Sequence, residues 1–283
     1  MHHPHRISAP SKSGIAAVAL TMLYVGLFIV LPFGGIVAGA LEGGIGALGR
    51  NLTRPETLEA LGLSASVTTA VLLVNVVFGV AAAWLLAKFR FPGRAVILSL
   101  LNLPLSVSPV IVGLLFVLLL GRHTALGGLL ESAGVRIIFA WPGLFLVTLF
   151  ISFPYIVREL LPVLSDLGDE DEEAAITLGA SGFATFFRVT LPNIRLALLY
   201  GITLAAARAV GEYGAVSVVS GLLRGRTVTL PIQVQIFYAE YMTGAAFTSA
   251  SIFFVFGVIT LLSKFALERR IKETARREGA IDA

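Results

Sequence analysis

The stretch Gly168-Asp169-Glu170-Asp171-Glu172-Glu173-Ala174-Ala175-Ile176-Thr177-Leu178-Gly179, with Val189 and Leu191-Pro192 beyond it, is a polar segment between two strongly apolar ones. Gly168 closes the preceding turn. Asp169 followed by Glu172 reads as a helix cap with a carboxylate at the third helical position, negative charge collecting where the helix dipole is positive. A short helix is therefore expected from Asp169, with Ala174, Ala175 and Leu178 as its small apolar face and Gly179 as its breaker. Phe183, Phe186 and Phe187 follow at spacings of three and four, which sets three rings on one stripe of a second short helix. Local physics leaves two outcomes open: the rings pack under their own chain, or they meet a separate protein.

The segments on either side set the class. The chain has 283 residues, 57% of them hydrophobic and 13% charged, with a mean hydropathy of +0.90, whereas soluble domains carry about one quarter charged residues. Crossing a bilayer takes roughly 20 apolar helical residues, because lipid offers backbone amides no partner. Stretches near 15–37, 65–87, 97–120, 140–162, 197–220 and 246–267 qualify. The expected fold is all-α, a polytopic membrane protein of six transmembrane helices spanning 15–267. An inner loop lies at about 164–195, with tails at 1–14 and 268–283. These spans leave no room for a soluble catalytic domain.

Of the 21 lysines and arginines, thirteen fall on one side of these spans if both termini are cytoplasmic: Arg6, Lys12, Lys88, Arg90, Arg94, Arg188, Arg195, Lys264, Arg269, Arg270, Lys272, Arg276 and Arg277. Only Arg50, Arg54, Arg122, Arg136, Arg224 and Arg226 fall outside, and this bias orients both termini inward. The pI of about 9.6 is thus a topology signal. Basic residues distributed by membrane side give no nucleic-acid surface. The first apolar run exceeds 20 residues, too long for a signal-peptide core of roughly 7–15, so it is expected to remain as a span. His2, His3 and His5 read as part of a terminal tail rather than a metal site. With no cysteine the chain has no disulfide, thiol nucleophile or iron–sulfur ligand. Asn51-Leu52-Thr53 matches a glycosylation triplet, a pattern that arises often by chance.

Residues 41–62, with Gly43, Gly44, Gly46, Gly49 and Pro55, suit a short outer loop, and Phe91-Pro92-Gly93-Arg94 a tight inner turn. Pro104 and Pro109 are expected to bend the third span, with Asn102, Ser106 and Ser108 positioned to bond the freed carbonyls. Such a kink either lines a cavity or is tolerated in packing. In the fifth span Arg208 and Glu212 share a helical face at mid-membrane, where a lone charge costs about 2.5–3.5 kcal/mol on insertion scales. They form either a structural pair or the border of an anion path. Gly201, Ala205, Ala209, Gly211 and Ala215 allow close helix approach. Arg158 can snorkel to the inner face. His123 alone supplies no catalytic set, and no phosphate-binding Gly-Lys-Ser/Thr loop is present.

The spacing Glu173-Ala174-Ala175, three residues, Gly179, nine residues, Val189, any residue, Leu191-Pro192 resembles the cytoplasmic coupling loop of permease subunits of bacterial ABC importers. The stretch from Ala207 through Arg208, Glu212, Tyr213 and Ser217 to Gly221, followed by Arg224-Gly225-Arg226-Thr227 and Thr229-Leu230-Pro231, is similar to the sulfate/thiosulfate importer permeases, W-type. Phe89 to Arg94, Leu105 to Val110, Ile137 to Ala140 and Arg158-Glu159-Leu160 support it. The likeness covers about residues 60–265 and departs at Tyr213, Val228 and Ala239, where Phe, Asn and Asn are expected.

The resemblance implies a type I ABC importer permease fold in a bacterial inner membrane. The chain would be a non-enzymatic subunit without cofactors, surrounded by membrane lipid. Its implied partners are an ATPase homodimer, a paralogous T-type permease and a periplasmic sulfate/thiosulfate-binding protein. It further implies that Glu173, Ala174, Ala175, Leu178, Gly179, Val189, Leu191 and Pro192 engage the ATPase. Arg208, Glu212, Tyr213 and Ser217 would line the substrate pathway. A molybdate or tungstate permease shares an Arg-x-x-Gly-Glu-type segment and is the alternative. An ion-coupled secondary carrier is a further one, although no clear inverted repeat is present.

Overall fold

The computed structural model describes residues 12–281, so the histidines at 2, 3 and 5 and Arg6 lie outside the described residues. Every regular element among them is helical: α1 (Lys12–Val25), α2 (Leu31–Leu41), α3 (Gly44–Leu52), α4 (Pro55–Lys88), α5 (Arg94–Ser106), α6 (Pro109–Leu120), α7 (Ala125–Ser132), α8 (Trp141–Asp166), α9 (Glu170–Thr177), α10 (Gly182–Thr185), α11 (Leu191–Val210), α12 (Gly214–Ser220), α13 (Leu230–Ala239) and α14 (Thr243–Ile281). Five unbroken helical runs are long and apolar enough to cross a membrane, and the α5–α6 pair makes a sixth if its two arms count as one span.

The centre is the α4–α8 pair. Leu144, Val147, Ile151, Ile156, Val157, Leu160 and Leu164 of α8 are all buried, recurring every three or four residues as one helical face demands. They meet Val67, Val71, Val80, Ala83 and Leu86 of α4. Gly79 makes the crossing close, since a Cβ there would come within 2.9 Å of the Ile156 side chain. The seam carries a buried polar link. Asn75 donates to Ser152 Oγ at 2.8 Å, and Ser152 donates on to the Thr148 carbonyl at 2.6 Å. The C-terminal half of α8 then packs on α11 through Ile194 and Ala205, and the N-terminal half shares a core with Val216, Val219 and Ile232 of α12 and α13.

The first span, Gly14–Leu41, is a single rod through a π-helical turn at Gly26–Val30. It joins the body through α2 against α14, where Gly39 lets Phe247 close in.

Four expectations change. The 41–62 segment is helical: α3 occupies part of it and α4 starts at Pro55, making α4 34 residues long rather than the expected 65–87 span. The third span is broken outright, α5 and α6 meeting at 110° across Val107-Ser108. Asn102 and Ser106 bond the carbonyls of Leu98 and Asn102, not the Leu100 and Leu105 carbonyls that Pro104 and Pro109 deprive of a donor. Pro109 instead starts α6, where a missing N–H costs nothing. The fifth span is also interrupted, α11 ending at Val210 and α12 starting at Gly214. Finally, the segment after Thr229 is not loop but α13, with Leu230, Ile232, Gln233 and Phe237 buried.

Candidate functional site

The polar loop opens with Gly168, at φ +63°, and α9 does begin beside Asp169. The expected cap bond is absent. Asp169, Asp171 and Glu172 are engaged elsewhere. Lys88, the last residue of α4, donates to Asp169 Oδ1 at 2.8 Å, approaches Glu172 Oε2 at 3.2 Å and also bonds the Gly168 carbonyl. Thr190 donates to Glu172 Oε1 at 2.5 Å, and Asn193 donates to Asp171 Oδ2 at 3.2 Å. The acidic run is therefore a clamp. Asp169 reaches the end of α4, Asp171 the root of α11 and Glu172 both, fixing a two-turn helix that is too short to hold itself together in water.

Gly179 ends α9 in the left-handed region, at φ +89°. The Ala180 N–H bonds the Ala175 carbonyl at 3.0 Å and the Gly179 N–H bonds that of Ile176 at 2.9 Å, the Schellman pairing that stops a helix sharply. The stop projects Leu178, 89% exposed, beyond the helix end. The rings do not share one stripe on a separate helix. Phe186 tucks into the inner core, whereas Phe183 and Phe187 stay out with centroids 4.5 Å apart. A π-helical turn at Phe186–Thr190 joins α10 to α11, so Gly182–Val210 is one run. Its extra residue per turn accounts for the split among the rings.

The eight residues singled out around this loop fall into two groups. Glu173, Ala174, Leu178 and Gly179 stand exposed with Ile176 and Phe183, while Val189, Leu191 and the half-buried Ala175 pack inward and Pro192 sits in the first turn of α11. Burying a leucine- or phenylalanine-sized side chain is worth about 1.5–3 kcal/mol. Four such groups left in water, Ile176, Leu178, Phe183 and Phe187, are what a docking surface retains.

The second constellation forms where the fifth span breaks. Arg208 lies in the last turn of α11, and Glu212 lies in the gap, so a continuous helix face does not relate them. They nevertheless pair, Arg208 Nη1 to Glu212 Oε2, with the carboxylate almost fully buried and the guanidinium a quarter exposed. Glu212 Oε1 accepts the Ala215 N–H at 2.8 Å. Both carboxylate oxygens are thus spent, one on each side of the break, so Glu212 holds α11 and α12 together. Tyr213 is exposed at the start of α12, and Ser217 is half-buried with its hydroxyl donated to the Gly214 carbonyl. Of the small residues, Gly201 faces the α8 backbone at Ile156 and Ala215 faces Gly113, so both close approaches serve this chain's own helices.

Sequence reasoning did not see that the two breaks meet. A Cβ on Gly214 would lie 2.9 Å from the Pro109 side chain, and one on Gly113 2.7 Å from the Ala215 carbonyl. The outer stretch 221–229 also escaped notice as structure. Thr227 accepts from the Leu223 N–H and donates to the Ser220 carbonyl, Phe139 covers Gly221, and Arg224 pairs with Glu240. Its signals were Gly221 and Gly225, which supply positive φ, and Leu230-Pro231 after Thr229, a helix start.

A bundle of membrane-length helices, two of its candidate spans broken and packed against each other, is the architecture of a membrane permease. The chain belongs to the family described as binding-protein-dependent transport system inner membrane component, whose model matches residues 75–273. Among its relatives is the sulfate transport system permease protein CysW of Escherichia coli K12, 44% identical over 260 residues, 92% of this chain and 89% of that one. CysT, the corresponding permease protein of the same strain, is 31% identical over 255 residues, 88% of this chain and 92% of that one. The fold is shared with a chain of a bacterial alginate ABC transporter solved in complex with its alginate pentasaccharide-bound periplasmic protein (TM-score 0.73, 18% identity, 91% of this chain and 94% of that one).

Proposed function

We propose that this chain is the transmembrane permease subunit of an ATP-driven importer of sulfate or thiosulfate, paired with a related permease and fed by a periplasmic binding protein. The knob at 173–179 would seat in an ATPase dimer, with both termini on that cytoplasmic side. The observation that carries the coupling role is the exposed apolar group of Ile176, Leu178, Phe183 and Phe187 on and just beyond a helix clamped by Lys88, Thr190 and Asn193. The oxyanion assignment draws on the likeness to CysW.

In this reading ATP draws the two ATPase subunits together, and the knob carries the motion into α11. The bundle then passes between two discrete arrangements, inward-open and outward-open. A doubly charged, strongly hydrated anion needs a polar lining to cross. Arg208 retains donors not used by Glu212, and with Tyr213 and Ser217 it would border that route. Glu212 is the strut that keeps Arg208 in place.

The absence of native cysteine makes the test direct. A single cysteine at Ala174 or Leu178, crosslinked in the intact assembly, is expected to capture the ATPase subunit. Failure at both positions would defeat the docking. Uptake of labelled sulfate, thiosulfate and molybdate into vesicles holding the assembled complex, with and without ATP, tests the substrate.

A further inference from the structure

A recess of about 480 Å³ opens where the α4–α5 turn meets the end of α8, lined by Lys88, Arg90, Arg94, Ser165, Gly168 and Asp169 with Ala87 and Leu164 behind them. Three cations face one carboxylate, and that carboxylate is already bonded to Lys88. Donor accounting shows which cations are available. Lys88 has three N–H groups, and the Gly168 carbonyl, Asp169 and Glu172 take all three. Arg94 gives Nε to the Leu86 carbonyl at 2.8 Å, leaving both Nη groups. Arg90 is exposed and makes no ion pair among the described residues. Two guanidinium groups four residues apart on one tight turn therefore line a concave polar recess while keeping donors that the fold does not use.

Guanidinium forks match tetrahedral oxyanions two bonds at a time, and basic recesses between spans on the cytoplasmic side take phosphate head groups. The turn is preorganised, with Gly93 at φ +94° and Arg94 tied back to α4. The volume accommodates a phosphodiester with its substituents or an inorganic oxyanion with part of its water.

We propose that this recess is an oxyanion site. Arg90 and Arg94 are its ligating residues, and it takes either the phosphate of an anionic lipid head group or a free tetrahedral oxyanion. Lys88 contributes charge only. The site stands next to the loop clamp without using its bonds, so it can be filled while α9 stays docked. On the orientation proposed above it opens at the cytoplasmic face; binding is measured without uptake, so its failure would leave the transport reading standing.

Trp84 lies one turn before Lys88 with its ring edge-on to Phe89, centroids 5.3 Å apart. It is the only tryptophan besides Trp141, so Trp141→Phe leaves it as a reporter of the turn. The full chain in this background, in phosphatidylcholine nanodiscs, is titrated with sodium sulfate against sodium chloride at equal ionic strength. Retention of radiolabelled sulfate is followed in parallel. A second preparation replaces part of the lipid with phosphatidylglycerol and omits sulfate; phosphatidylglycerol co-purifying with the chain is counted by native mass spectrometry.

A saturable emission change or retained label with sulfate identifies a free anion. A response confined to phosphatidylglycerol identifies the lipid. In either case Arg90→Gln, which breaks no bond within the fold, is expected to weaken the response at least tenfold, and Arg90→Lys to restore only part. No response above chloride in any of the three measurements overturns the site, as does full binding in Arg90→Gln.

Discussion

Between Ile176 and Phe187 apolar side chains stand out in water, while between Arg208 and Ala215 a carboxylate is sealed inside apolar packing. The two regions are ends of one chain segment, and each inverts the pattern its surroundings would favour. At the knob, solvent surrounds groups that gain from leaving it, and the local bonds from Lys88, Thr190 and Asn193 supply all the rigidity. At the break, burial surrounds a group that loses from it, and Glu212 is tolerable only because Arg208 and the Ala215 amide answer both oxygens. Removing a side chain at the knob should therefore leave folding intact, whereas removing one at the break should not.

The largest expected effect is at the break. Glu212→Ala leaves Arg208 without its counter-ion and frees the first turn of α12. Breaking a buried pair from one side costs about 3–5 kcal/mol, so the variant should lose most of its folded yield and melt well below the parent by fluorescence-detected size exclusion. Melting equal to the parent would show that the break is not held by this carboxylate.

Next is Leu178→Asp. An exposed substitution away from packing is expected to stay within about 0.5 kcal/mol of the parent, so yield and melting should match while ATP-dependent uptake falls more than tenfold. Unchanged uptake would remove the contrast between the two regions.

Smaller again is Gly179→Ala. No atom stands within 4 Å of the added Cβ, so the cost is the left-handed backbone alone, about 1–2 kcal/mol. Insertion should be normal, uptake reduced severalfold, and hydrogen exchange faster at 175–180. Exchange identical to the parent would mean that the turn does not depend on glycine.

The spans were legible because continuous apolarity over twenty residues has few other uses. The coupling-type loop was legible because Gly179 and the alanines before it have local meaning. What stayed hidden depended on distant partners. Nothing near Asp169 says that Lys88, eighty-one residues earlier, will take its carboxylate in place of the helix start. Arg208 and Glu212 at four-residue spacing promised a shared face. Gly211 and Gly214 flanking Glu212 are the local signal for a break, set against the largely apolar run from Ala215 to Val219 that follows. The Pro104–Pro109 bend was visible but not its size, which is set by how α6 seats on α12 at Gly113 and Gly214.

The π-helical turn at Phe186–Thr190 has a mechanical corollary. Because it bends neither into a loop nor into a gap, Gly182 to Val210 is a single rod of 29 residues, about 43 Å at 1.5 Å per residue. A helix is stiff along its axis, so a shove delivered at Phe183 reaches Arg208 with little loss. The rod stops at Gly211, and past its tip the Glu212 carboxylate ties Arg208 on one side to the Ala215 amide on the other: a stiff bar whose far end is lashed to the next helix through a side chain.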